Sequence, residues 1–481
     1  MSAHSLSILN FPDSTARINL HFPCVFQYVA TKIVFYSIIL NFQFRILNLI
    51  GTFVAIMEHK EYNVVVVGGG AAGLMAAGTA AINGNNVLLL EKMEKTGRKV
   101  RISGKGRCNL TNVCTDEEFL AKVQNGAGFF TYAYTQWNNK SLMRFMERKG
   151  VALETERGGR VFPKSGKAWD IAQALVDWCR EEGVTIECNA KVESVNVIAG
   201  KVRSITYRNA RGFQRKVETP AVILATGGAS YPATGSTGDG YRMAHEVGHE
   251  ITPVRPSLVP LETSYEEAPF MAGLLLKNVH ADLVIDGEVV QSEFGEMFFS
   301  KRGVEGAIVL RMSRRAVDAL IEEKKVEIVV DLKHAMDSDE LRERILREIA
   351  EQPSTLTVGE LLRKIMPREL VVPMAKACGA HAKHSMGELK DDKIERLVEA
   401  LKHFTLPISD YRPFEEAIVT AGGVDLAEID PHTMQSRKVE GLYFAGELMD
   451  IDANTGGYNL QIAFSTGRLA GQLRKSKDVM L

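Results

Sequence analysis

Three glycines, Gly68, Gly70 and Gly73, stand at G-x-G-x-x-G spacing, and a carboxylate, Glu91, follows them. These are the residue types that bind a dinucleotide. The first glycine permits a tight turn, the second lets backbone approach a pyrophosphate, and the third lets a helix pack closely on a strand. An acid roughly 20 residues further on can grip a ribose hydroxyl. Just beyond it, TGRKVRISGKGRCNLTN, residues 96–112, sets Arg98, Lys99, Arg101, Lys105 and Arg107 among Gly97, Gly104 and Gly106. Glycines let successive backbone N–H groups form an anion-binding concavity, and the cations add charge.

Such residues work only if the right elements hold them. The run Val64 to Val67 is apolar on both faces, which suits a central parallel strand covered by helices. Residues 71–83, opening with Ala71 and Ala72, are rich in alanine and predict a helix whose free N–H groups face the phosphates. A second apolar strand, Val87 to Leu90, ends at the acid. A glycine turn alone is weak evidence, but strand, helix and acid at these distances distinguish it from an ordinary turn.

Two later stretches have the same character. The apolar strand Ala221 to Ala225 runs into Thr226-Gly227-Gly228, small residues where backbone passes close to a ligand. Near the C-terminus GLYFAGELMDIDANTGGYNLQ, residues 441–461, holds a short strand, then Gly446-Glu447, then Asp452. Gly457-Tyr458-Asn459 then opens a helix over 459–473, whose N-terminus would stabilise negative charge on a reduced ring.

On GGGAAG and SGKGRCNLTN, matched nearly letter for letter, the chain resembles the BaiN-like (also YhiN- or RdsA-like) family of FAD-dependent oxidoreductases, from residue 57 to about 472. The resemblance implies a discontinuous Rossmann-type α/β FAD-binding domain. It implies FAD held non-covalently by Gly68, Gly70, Ala71, Ala72, Gly73 and Glu91. It extends that role to Lys92, Arg98, Lys99, Ser103, Gly104, Arg107, Cys108 and Asn109. Val192 would bring backbone to the adenine, and Ala225, Thr226 and Gly227 would follow the cofactor. Glu447 and Asp452 are both candidates for the ribityl chain, beside Gly446, Gly457, Tyr458 and Asn459. Gly238-Asp239-Gly240 resembles a segment of fumarate-reductase-type flavoproteins, though a plain turn before a helix explains it equally well.

Only one G-x-G-x-x-G sits in a βαβ context, so a second nicotinamide domain is not expected, and NAD(P)H would visit the flavin transiently. Members similar to this chain reduce 3-oxo-Δ4,6 bile acids, oxidise aminoacetone, or reduce a uridine ring in ribosomal RNA. Reducing a double bond conjugated to a ketone needs donors on the carbonyl oxygen and an acid for the α-proton. Candidate donors are Tyr231, Arg255, His280 and Tyr458. A steroid enone, bound in an apolar cleft that Leu274 to Leu276 could line, is the favoured substrate. The alternatives are an amine oxidase, an RNA reductase and a flavin-free ADP-binding scaffold. Cys108 and Cys114 lack the usual spacing of a redox pair, and His381 and His384 lack the further ligands of a metal site.

The 481 residues suffice for about three domains at ~150 residues each. A net charge of −1 disfavours a nucleic-acid partner and leaves a small molecule. Six cysteines without a C-x-x-C pair fit a reducing cytosol. Residues 57–252 and 411–481 are expected to form the cofactor domain. Residues 253–410 form an insertion, β-rich over 253–335 and helical over 336–405. Residues 1–56 read as a leader: their apolar runs are broken by Arg45, and a start at Met57 is expected, with a membrane anchor as the alternative and no stable membrane insertion.

Overall fold

The computed structural model describes residues 61–353 and 355–473, so the expectation for residues 1–56 lies outside it. Strand β1, Val64–Val67, has all four valines buried, as a strand covered on both faces must. Helix α1, Ala71–Ile82, strand β2, Val87–Glu91, and helix α2, Arg98–Gly106, follow, the last broken by non-helical backbone at Ser103, Gly104 and Lys105. Strands β3, Thr185–Cys188, and β4, Ala221–Leu224, come later in the chain.

The chain then leaves this layer along Ile251–Ser257 and returns along Val419–Val424, two strands paired antiparallel. Between them it closes an antiparallel barrel. Its strands are β5, Leu261–Thr263, β6, Leu275–Ile285, β7, Glu288–Phe299, β8, Gly303–Glu305, β9, Val326–Asp331, and β10, Phe404–Tyr411. Helix α3, Ala307–Ile321, connects β8 to β9, and four further helices between Ser338 and Lys402 cover the barrel. The chain finishes with β11, Leu442–Phe444, and α4, Tyr458–Ala470.

Strands β11, β4, β1, β2 and β3 form one sheet in that order, every pair parallel. This is a Rossmann-type α/β layer, and it is discontinuous, because β11 and α4 come from beyond the barrel. The two layers have separate cores, one running from Val259 to Ala417 and the other uniting residues 64–244 with 424–470.

Small residues let α4 lie directly on α1. A Cβ on Gly467 would stand 2.3 Å from the Ala72 carbonyl oxygen, so the helix from the far end of the sequence meets the first helix backbone to backbone. The β-rich stretch 253–335 also holds a 15-residue helix, α3, and the helical stretch leads into a barrel strand, β10. One expectation for the insertion needs correction. Leu274 and Leu276 are buried in the barrel core and Leu275 is exposed, so this segment does not line the ligand cavity. Among the described residues no helix is long and apolar enough to cross a membrane.

Candidate functional site

A cavity of about 980 Å³ lies between the parallel sheet, the start of α4 and the base of the barrel. That is the large end of the roughly 300–1,000 Å³ range of ligand sites. Gly70 and Gly457, from opposite ends of the chain, line this one space.

The glycine turn after β1 occupies one end. Gly68, Gly70, Ala71 and Ala72 line the cavity. Gly73 lies behind them, and a Cβ there would fall 1.8 Å from the Gly68 carbonyl oxygen, so only glycine lets α1 begin this close to β1. Glu91 stands at the tip of β2, its carboxylate accepting from the Gly69 N–H at 2.7 Å and the Met93 N–H at 2.8 Å. Burial pushes its carboxyl above the ordinary range, although those two donors oppose the shift. Lys92 is joined to Asp239 at 2.9 Å and to Thr237 at 2.6 Å. Val192 borders the same end.

The long wall is built from α2 and the turns after β4 and β11. Lys99 donates to Ser230 at 2.6 Å and to Glu447 at 2.7 Å. Glu447 also accepts from the Thr420 N–H at 2.8 Å, so one carboxylate ties together four segments far apart in sequence. Ala225, Thr226, Gly227 and Gly446 complete this wall, and Arg98 reaches the Ala233 carbonyl at 3.0 Å.

At the far end Ser103, Gly104, Arg107 and Asn109 line the cavity with Gly457 and Asn459. With its amide oriented to satisfy both partners, Asn109 donates to the Thr111 carbonyl at 3.2 Å and accepts from the Gly457 N–H at 3.1 Å. Gly457 has φ +100°, and a Cβ there would meet Thr111 backbone at 2.5 Å.

Several expected residues lie off the cavity. Cys108 is buried in the core, where burial pushes its thiol up to about 12, far from a reactive thiolate. Tyr458 turns away from Gly457 and Asn459 and packs edge-on against Phe119 at 4.8 Å. Asp452 is 1% exposed and is held by Arg314 at 3.0 Å and Ser257 at 3.3 Å. Arg255 pairs with Asp318, and His280 sits on the barrel, stacked on His334 at 5.4 Å. Of the four candidate donors, the cavity is lined by Tyr231. His384 faces Glu388 at 3.1 Å.

Sequence reasoning did not find the insertion's share of the lining. Leu258, Pro260, Leu310 and Ile418 form an apolar wall, with Glu305, Arg311 and Glu416 among them. These positions carry no local motif and converge only once the barrel has closed.

The turn, the buried ribose-side acid and the open backbone at Gly70, where a Cβ would meet nothing within 4 Å, fit a dinucleotide such as FAD. The HI0933-like protein Rossmann domain family matches residues 62–473. A 3-dehydro-bile acid delta(4,6)-reductase of Clostridium scindens is 32% identical over 416 residues, covering 85% of this chain and 97% of that protein. A ribosomal RNA dihydrouridine synthase of Haemophilus influenzae is 29% identical over 405 residues, covering 84% and 96%. Among solved structures, the open conformation of a flavocytochrome c3 fumarate reductase aligns with a TM-score of 0.46 and 19% identity, over 89% of this chain and 80% of that one. The chain belongs to the HI0933-like family and is an FAD-dependent oxidoreductase.

Proposed function

We propose that the protein reduces a carbon–carbon double bond conjugated to a ketone, with a 3-oxo-Δ4,6 steroid or bile acid as substrate and NAD(P)H as electron source. The observation that carries this reading is the double character of one cavity. Its dinucleotide-type half continues without a break into the apolar wall of Leu258, Pro260, Leu310 and Ile418. An apolar, rigid substrate matches that wall. The bile-acid reductase relative, aligned over 97% of its length, supports the same reading.

FAD, when bound, supplies the hydride chemistry. The chain's residues supply position and electrostatics. The first turn of α1 holds phosphate and Glu91 holds a ribose. The insertion's apolar wall meets the apolar face of the substrate. Tyr231 lines the cavity and is one donor available to the carbonyl oxygen.

A second reading, reduction of a uridine ring in RNA, draws on the cavity rim. Arg107 and Arg160 lie 4.2 and 5.7 Å from the centre of the Phe162 ring. Glu156 pairs with both rim arginines, which weakens that surface for phosphate. The test is anaerobic reduction of the purified protein by NADH or NADPH, followed by exposure to a steroid 4,6-dien-3-one, to ribosomal RNA, or to air. Rapid reoxidation by the dienone is expected. Reoxidation by RNA alone would establish the second reading, and by air alone would sink both.

A further inference from the structure

Nearly every charged side chain around the cavity has a partner within the chain. Lys92 has Asp239, Lys99 has Glu447, Arg107 has Glu156, and Arg311 has Glu293. Among the described residues, Lys105 is the cation of this lining whose side chain has no ion pair or hydrogen bond.

Its backbone is also strained. Lys105 has φ 58° and ψ 42°, in the left-handed region that disfavours a side chain, and it sits between Gly104 and Gly106 in the same region. A third glycine would make this turn without strain. Tyr231 and Leu258, both with φ 51°, line the same cavity. Strain of this kind gathers at ligand sites, where something outside the chain requires it.

Lys105 stands at the end of the cavity away from the glycine turn after β1. Its loop is tied through Asn109 to Gly457, whereas Gly467 rests on Ala72. Ten residues of α4 separate those two glycines, roughly 15 Å at 1.5 Å per residue. The lysine's loop and the glycine turn thus stand at different levels along α4.

We propose that Lys105 is a catalytic residue that touches substrate, its ammonium donating to the carbonyl oxygen conjugated with the reducible double bond. The proposal rests on the reductase reading above. As the β-carbon accepts hydride, the π pair moves toward the oxygen to give an enolate, and a solvent proton completes the α-carbon. Lys105 stays protonated throughout, supplying an N–H group and not the proton. A dienone and a uracil ring both present such an oxygen, so the role holds for either substrate.

The test uses the holoenzyme and its Lys105→Met, Lys105→Gly and Lys105→Arg variants. Flavin-to-protein ratio should match wild type in all three, and Lys105→Gly should melt within about 2 °C of it. A phenolic steroid, whose oxygen mimics the enolate, should bind Lys105→Met and Lys105→Gly at least about tenfold more weakly. Reoxidation of the reduced flavin by substrate should slow by about 10²-fold, with Lys105→Arg largely retaining the rate. Loss of flavin would make Lys105 a cofactor contact, and a clear fall in melting temperature would make it structural; either overturns the proposal. Unchanged phenol affinity together with an unchanged rate also overturns it, leaving the reductase reading intact. A wild-type protein reoxidised by neither dienone nor RNA overturns both.

Discussion

Breaking the Lys99–Glu447 pair tests whether the cavity's long wall is held by one polar junction. The two charged groups are 2.7 Å apart with side chains 26% and 19% exposed, so they lie between a surface pair and a buried one. Exposed pairs contribute ~0.2–1 kcal/mol, and removing one partner of a buried pair costs about 3–5 kcal/mol. The two truncations should differ. Lys99→Met leaves Glu447 accepting from Ser230 and the Thr420 N–H, and should cost about 2 kcal/mol. Glu447→Ala takes the carboxylate from Lys99, which keeps Ser230, and leaves the Thr420 N–H without its acceptor, and should cost about 3 kcal/mol. The double variant should cost about 3.5 kcal/mol, a coupling of about 1.5 kcal/mol. Urea unfolding of the four apoproteins, fitted with a common m-value, measures it. Additivity within about 0.4 kcal/mol would refute the claim that these groups act as a unit.

Other outcomes follow from the same geometry. Gly73→Ala would force a Cβ into the Gly68 carbonyl, so the variant should lose at least about 2 kcal/mol and purify without flavin, read from its visible absorbance. Glu91 has its carboxyl raised above the ordinary 4.5, so the folded apoprotein holds a proton that the unfolded chain releases. Its contribution is complete below about 4.5 and is lost as pH rises through the raised value, and Glu91→Gln should flatten urea stability across that window. Cys108, buried with its thiol raised to about 12, should resist iodoacetamide at pH 8 until the protein is unfolded, which mass spectrometry of tryptic peptides detects.

The cofactor half was legible in the sequence because its determinants are local. Gly68, Gly70, Gly73 and Glu91 lie within one βαβ unit, and their spacing nearly dictates the turn. Legibility faded where side-chain direction mattered. In GGYN, Gly457 and Asn459 face the cavity while Tyr458 between them points at Phe119, a choice made by tertiary packing at a helix start. The apolar half of the cavity was illegible for a different reason. Leu258, Leu310 and Ile418 are separated by a whole barrel, and periodicity cannot reveal which leucines a closed barrel leaves at its base. Helix α3 was missed because it sits between strands in a stretch whose strand-like runs dominate the pattern.

Arg255 and Asp452, placed by the structure away from the cavity, bear on it through α3. Ala307, Leu310 and Arg311 line the cavity, and Arg314 and Asp318 continue the same helix face at i+3 and i+4 spacing. Arg314 reaches Asp452 at 3.0 Å and Asp318 at 3.5 Å, and Asp318 also pairs with Arg255. This chain of charges fastens the second half of α3 to the strand leaving the parallel layer and to the segment between β11 and α4. The first half is thereby held over the cavity. Asp452→Asn should leave Arg314, 15% exposed, with Asp318 as its remaining carboxylate partner, and cost about 1–2 kcal/mol. Because the perturbation enters through α3, flavin content should stay near wild type while affinity for the apolar substrate falls. Flavin lost in step with stability would show instead that Asp452 serves the cofactor directly.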